Sequence, residues 1–172
     1  MATIWALGEV NDGVPSKLTL ELATLARQLA EKSGGESKTV LIGKGASGAA
    51  SEVAAYADAV VAVDVDASGP TAATVAARAA ALIAEHSPDF VLLPASNDGK
   101  DVAGLLLGLT DLPVLVNAAA VDWADDGPQV EMSTYGGKLV TCQPGMMDIA
   151  KSEDTIECTE TASGIRKQAI NI

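Results

Sequence analysis

An α/β domain is what this sequence predicts: a parallel sheet covered by helices on both faces. Three observations carry the prediction. Short apolar runs alternate with stretches of helical periodicity through residue 121. The runs are unbroken, as in Phe90-Val-Leu-Leu93, which suits strands buried on both faces better than half-exposed ones. The segments between them are long enough for the crossovers that parallel pairing requires, and such crossovers are right-handed.

The first strand runs from Thr3 to Leu7, with Gly8-Glu9 at its end. Asn11-Asp12-Gly13 is a turn signal, and Pro15 extends the loop. Leu18, Leu22, Leu25 and Leu29 fall on one face of a helix that ends near Lys32. Ser33-Gly34-Gly35 stops it, because glycine takes the left-handed conformation that closes a helix. Thr39–Ile42 is a second strand, Ser47–Ala57 a short alanine-rich helix, and Ala59–Val63 a third strand ending at Asp64. Ser68-Gly69-Pro70 opens the longest helix, Thr71–His86. The strand Phe90–Leu93 follows, and Pro94, which has no N–H, ends its pairing. Ser96, Asn97 and Asp98 are residue types that cap helices, and a helix runs on from Asp98 to Leu109. Val114–Val121 is a fifth apolar segment.

Beyond Val121 the character changes. Asp122, Asp125, Asp126 and Gly127-Pro128 make an acidic loop, and Gln129–Thr134 and Lys138–Gln143 read as a β-hairpin joined through Tyr135-Gly136-Gly137. Thr155–Thr161 reads as one more strand. The organisation expected is therefore an α/β domain over 1–121, an acidic hairpin extension of it over 122–162, and a loose tail over 163–172. Nine acidic residues and two lysines lie between Asp122 and Glu160. That stretch is either a solvated acidic surface or a face for a basic partner, and self-association through the hairpin is a third reading.

Composition narrows the function. Hydrophobic residues make up 48% of the 172 residues but aromatics only 3%, so the core is aliphatic and helices pack closely through alanine. A net charge of −12 argues against nucleic acid or an anionic membrane surface as a partner, since phosphate contacts need Lys and Arg. No apolar run approaches the ~20 residues that span a bilayer. The N-terminus lacks a basic segment followed by an apolar one, and a cytoplasmic location is the expectation. Cys142 and Cys158 are too few for a disulfide framework or a zinc site and read as inert thiols. His86, the one histidine, sits at a helix end where a cation is favourable. No serine or cysteine has a histidine and an acid placed to activate it, so no catalytic residues are expected.

Two turns could hold a ligand. Gly43-Lys-Gly45-Ala-Ser-Gly48 is a literal G-x-G-x-x-G between a strand and a helix, with Asp64 at the end of the next strand. In a dinucleotide fingerprint the glycines admit a pyrophosphate and the acid binds ribose hydroxyls; otherwise they supply only a turn. The second is Ser96-Asn97-Asp98-Gly99-Lys100, where backbone N–H groups and the positive end of a helix suit a phosphate and Lys100 could add charge. Asp98 and Asp101 oppose an anion there and are better placed as capping residues that stabilise their own helix macrodipole, so the turn reads equally as a ligand site and as a cap.

Taken together the segments resemble the N-terminal domain of the electron transfer flavoprotein alpha subunit. The resemblance extends to about residue 147 and rests on Ile4-Trp-Ala-Leu-Gly-Glu9 with Leu18-Thr-Leu-Glu-Leu22, on Thr39-Val-Leu-Ile-Gly-Lys-Gly45, and on Pro88-Asp-Phe-Val-Leu-Leu93. Ala95-Ser-Asn-Asp-Gly-Lys-Asp-Val102 is similar to the family's alanine/serine-x-glycine-arginine/lysine-aspartate signature, and Tyr135-Gly-Gly-Lys-Leu-Val140 to its hairpin. The resemblance implies a five-stranded parallel sheet of the adenine nucleotide alpha hydrolase-like kind, strand order 3-2-1-4-5, with the antiparallel hairpin appended. It implies a heterodimer with a beta subunit, carrying electrons from flavin dehydrogenases to an acceptor. FAD then lies mostly in a separate C-terminal domain of the alpha subunit, and AMP, where present, in the beta subunit. That flavin domain has no counterpart here, Thr141–Met146 merges two strands that the family keeps apart, and 151–172 matches nothing in it. The expectation is a scaffold and subunit-interface fragment that does not hold FAD alone, with the Ser96–Lys100 turn vacant. The alternative is a stand-alone domain binding AMP, ATP or NAD.

Overall fold

The computed structural model describes residues 1–66, 71–110, 112–124, 127–134, 139–143 and 168–172. Its centre is the apolar strand β1 (Thr3–Gly8). A two-residue turn at Asp12-Gly13, both with positive φ, joins the short strands β2 (Val10–Asn11) and β3 (Val14–Pro15) into a small hairpin, as Asp-Gly favours. Helix α1 (Lys17–Ser33) follows, with Ser16 capping its start and Gly34, at φ 63°, closing its end. The chain continues through β4 (Glu36–Gly43), α2 (Ala46–Val53), β5 (Val60–Asp64), α3 (Thr71–His86), β6 (Phe90–Leu93) and α4 (Asn97–Leu109). It ends in β7 (Val114–Leu115), β8 (Ala118–Ala124), β9 (Gly127–Thr134), β10 (Leu139–Gln143) and β11 (Gln168–Asn171).

Parallel pairing joins the main sheet in the order β5-β4-β1-β6-β11-β7. Two expectations are corrected here. The segment Val114–Val121 is not one strand: Asn117, at φ 56°, breaks it. Only β7 stays in the parallel sheet, while β8 pairs antiparallel with β9. The end of the chain is not a loose tail either. Its strand β11 lies between β6 and β7, with Ile170 fully buried, so the expected order holds over its first four strands, β5-β4-β1-β6, and β11 separates the fifth, β7, from them. The expected hairpin is present as β9 against β10 and gains β8 as a third strand. Its connection, 135–138, and the expected strand Thr155–Thr161 lie outside the described residues.

Alternation along the strands splits the core between two faces. Trp5 and Leu7 of β1, with Val40, Ile42, Val91 and Leu93, pack under α3 and α4. Ile4, Ala6, Phe90, Leu92 and Ile170 face α1 and the antiparallel sheet, whose Ala118, Val121 and Val130 complete that side. Leu41 and Ala23 carry α2, which docks through Ala46, Ala49 and Val53. Trp5 lies in a central strand at 4% exposure, its ring 5.7 Å from that of His86. Trp123 sits on the outer strand β8, edge-on to Phe90. Leu18, expected on the buried face of α1, is exposed. Lys32 at the end of α1 pairs with Asp122 of β8, which ties the antiparallel sheet to the helix. Among the described residues no helix is long and apolar enough to cross a membrane.

Candidate functional site

Strands β1 and β6 are neighbours, but the helices that follow them, α1 and α4, pack on opposite faces. Where adjacent strands send their helices apart, a crevice opens at the carboxyl ends, and there open α/β sheets bind ligands. The crevice is present. Leu7, Gly8 and Glu9 line it from β1, Pro94, Asp98 and Gly99 from the start of α4, and Val10 and Asn11 from the hairpin above. Its volume is about 70 Å³, against the ~300 Å³ at which drug-sized ligands begin to fit.

The turn into α4 is built by Ser96. Its backbone is extended and its Oγ accepts the N–H of Gly99 at 2.9 Å; this is an N-cap. Asp98 and Asp101, expected to cap α4 and stabilise its macrodipole, are not the N-cap; Asp98 lies exposed in the first turn, where it complements the helix dipole as expected, and Asp101 is exposed beyond it. Asn97 and Lys100 are exposed too, and neither lines the crevice. Gly99 is there for space. A Cβ at this position would run into the carbonyl oxygen of Pro94, so only glycine lets the helix start so close to the end of β6.

The Ser96 hydroxyl, having accepted from Gly99, donates to Oε1 of Glu9. The other carboxylate oxygen of Glu9 meets the Oγ of Ser16, the cap of α1, at 3.5 Å. Thr19 fixes the backbone of the same residue. Its Oγ1 accepts the N–H of Glu9 at 2.7 Å and donates to the Glu9 carbonyl at 2.9 Å. Glu9 thus joins the two helices: its carboxylate bonds the cap of α4, and its backbone is held by Thr19 of α1, whose Oγ1 also lies 3.1 Å from the Ser16 hydroxyl.

The glycine turn is arranged differently. Gly45 opens α2 with φ 75° and offers no side-chain cap. Asp64, at the end of β5, supplies it: its carboxylate accepts the N–H of Ser47 at 3.2 Å and the Ser47 hydroxyl. The Ser47 hydroxyl first, then backbone N–H groups of Ser47, Ala46 and Gly45, hold the Asp64 carboxyl below its ordinary range. Gly45 also abuts the hairpin, since a Cβ there would lie 2.7 Å from the Gly13 nitrogen. Lys44 bonds Asp12 at 2.7 Å and its carbonyl accepts from Gly13. Gly48 faces open space, whereas the third glycine of a dinucleotide fingerprint permits close helix–strand packing.

The electron transfer flavoprotein domain family matches residues 4–148, which takes in β1 from Ile4 through β10 with both turns and leaves β11 outside. The chain belongs to that family. Its members are electron carriers that work in electron-transfer complexes. No curated protein matches this electron transfer flavoprotein domain. Among solved structures it is similar to a putative UDP-N-acetylglucosamine 2-epimerase from Listeria monocytogenes, with 16% identity and a TM-score of 0.49 over 68% of this chain and 30% of that one. It is similar also to a second UDP-N-acetylglucosamine 2-epimerase, with 12% identity and a TM-score of 0.48 over 69% and 34%. The domain spans about a third of the length of those enzymes, and likeness at that level carries no inference about chemistry.

The Ser47 N–H and hydroxyl already serve Asp64, and the Ser96 hydroxyl already serves Glu9. Ser96–Lys100 and Gly43–Gly48 with Asp64 sit at separate helix starts and do not converge on one ligand position. Sequence reasoning missed Glu9. Its signal was an acid directly after the first strand, with two cap serines elsewhere in the chain. No cluster of three metal-ligating side chains occurs among the described residues. The side chain of Cys142 and the whole of Cys158 lie outside them.

Proposed function

We propose that the chain is the scaffold and subunit-interface domain of an electron transfer flavoprotein alpha subunit. In this reading it pairs with a beta subunit in the cytoplasm and supports electron transfer from flavin dehydrogenases to an acceptor. FAD is held outside these residues, and AMP, where used, by the partner. One observation carries the reading: across the span that the family matches, both phosphate-type turns are already engaged by Asp64 and Glu9. A domain so arranged contributes surface and rigidity, and the redox chemistry belongs to a flavin bound elsewhere.

The test is direct. The purified chain is mixed with FAD, passed through a desalting column and examined in the visible range; the expected result is colourless protein. Stoichiometric yellow protein would overturn the claim that the flavin lies elsewhere. Calorimetric titration with AMP, ATP and NAD addresses the competing role of a stand-alone nucleotide-binding domain. No heat of binding at millimolar ligand is expected, while NAD binding abolished by Asp64→Ala would restore the glycine turn as a functional site.

A further inference from the structure

We propose that Glu9 is a built-in anion, whose carboxylate takes the place at the β1/β6 crevice that a phosphate takes in nucleotide-binding sheets, and so locks α1 to α4. The inference deepens the proposed function and rests on it, since it supplies the reason why this crevice would accept no nucleotide. The geometry is specific. Glu9 follows the last residue of β1, and its two carboxylate oxygens go to Ser96 and Ser16, one at the cap of each helix. Both hydroxyls accept a backbone N–H from the first turn of their own helix, Gly99 for Ser96 and Thr19 for Ser16. Ser96 is thereby left with its proton for Glu9, while the proton of Ser16 is shared between Thr19 Oγ1 at 3.1 Å and Glu9 at 3.5 Å. A carboxylate, which only accepts, satisfies that pair, and the positive ends of both helices favour its charge. Thr19 holds the Glu9 backbone from both sides, so the carboxylate is positioned before any ligand could arrive.

The test replaces the internal anion with an external one. Glu9→Ala removes the carboxylate and leaves room for formate; it is expected to melt roughly 5 °C below the parent protein, the loss of two cap contacts in a domain of this size. Sodium formate should then raise the melting temperature of this variant saturably relative to sodium chloride at equal ionic strength, and should not do so for the parent. An identical response of variant and parent to formate would overturn the proposal. Glu9→Gln keeps the volume and covers the case in which the alanine variant fails to fold. It should melt below the parent, ignore formate, and show faster amide exchange at both Thr19 and Gly99. A glutamine variant as stable as the parent, or faster exchange at only one helix start, would sink the idea. Neither comparison depends on FAD or AMP. Nucleotide binding by the parent would defeat the proposed function while these shifts stood, and their absence would defeat the inference while the protein stayed colourless.

Discussion

The starts of α2 and α4 face the same edge of the sheet and meet the same electrostatic need in different ways. α2 has no cap of its own and borrows the exposed carboxylate of Asp64 from the neighbouring strand. α4 carries its own cap, Ser96, and through it reaches a carboxylate 87 residues away. The first arrangement is local and solvated. The second sits where backbone presses on backbone, at Gly99 against Pro94, and joins elements from both faces of the sheet. A glycine or serine motif describes only the turn itself. Whether the turn is free to take a ligand depends on side chains delivered by other strands.

The largest expected effect falls at the second start. Gly99→Ala places a methyl inside the Pro94 carbonyl, and neither backbone can yield without moving β6 or α4. Overpacking of this kind costs about 3 kcal/mol or more, to be read from urea unfolding at neutral pH. A loss under ~1 kcal/mol would show that the close approach relaxes freely, and the contrast between the two turns would weaken. Ser96→Ala comes next. It removes the cap and the Glu9 partner together, for a loss of about 1–2 kcal/mol. If the contrast holds, its effect and that of Glu9→Gln will not add in the double variant, because the two changes break the same bond.

How far these features could be read from the sequence differs between them for physical reasons. β1, β6 and the Val40–Ile42 part of β4 were legible because both their faces are buried and their residues are apolar there. β11 was not: of Gln168–Asn171 only Ile170 is strongly apolar, and its strand is defined by the slot between β6 and β7. The break at Asn117 was equally hidden, since one left-handed residue inside an apolar run leaves the hydrophobic pattern unchanged. Both candidate turns were located correctly as helix starts. What they bind internally was not legible, because Glu9 lies far from Ser96 in sequence and Asp64 read as a ribose ligand in a pattern that depends only on spacing. Gly99, by contrast, was in view as part of the turn, but its role emerges only from the position of the Pro94 carbonyl.

Gly48 allows a smaller and sharper test, because two readings give it different outcomes. If it is the third glycine of a dinucleotide fingerprint, it packs closely against the neighbouring strand, and alanine there tightens that contact and brings no gain. In this fold a Cβ at Gly48 meets nothing within 4 Å, and the residue lies in the first turn of α2. Gly48→Ala should therefore stabilise the protein by roughly 0.5 kcal/mol through helix propensity and a less flexible unfolded chain. Thermal or urea unfolding decides it. Destabilisation would place an unseen partner against α2 and return the motif to consideration as a binding element.

The smallest effect is the pH dependence of Asp64, which separates a carboxylate held by neutral donors from one held by a cation. Its pKa is lowered chiefly by the Ser47 hydroxyl and then by backbone N–H groups, with burial pushing weakly the other way. Because the folded value lies below the unfolded one, the unfolded chain takes up the proton first as pH falls. The stability this group contributes is complete above the unfolded pKa and is lost as pH drops through the folded value. Asp64→Asn should therefore flatten part of the acid limb of a stability–pH profile and leave its shape from neutral pH upward unchanged. Asp12 shares the same acid window, but its carboxyl is held down by Lys44, both through a hydrogen bond and by charge. Carboxyl-carbon NMR can follow the two side by side as salt is added. The depression at Asp12 should shrink, because added ions screen an exposed charge pair, while that at Asp64 should persist, because hydrogen bonds from a hydroxyl and amides present no net charge to screen. Equal salt sensitivity would mean that Asp64 answers to a cation after all, and that the start of α2 is not capped by neutral donors alone.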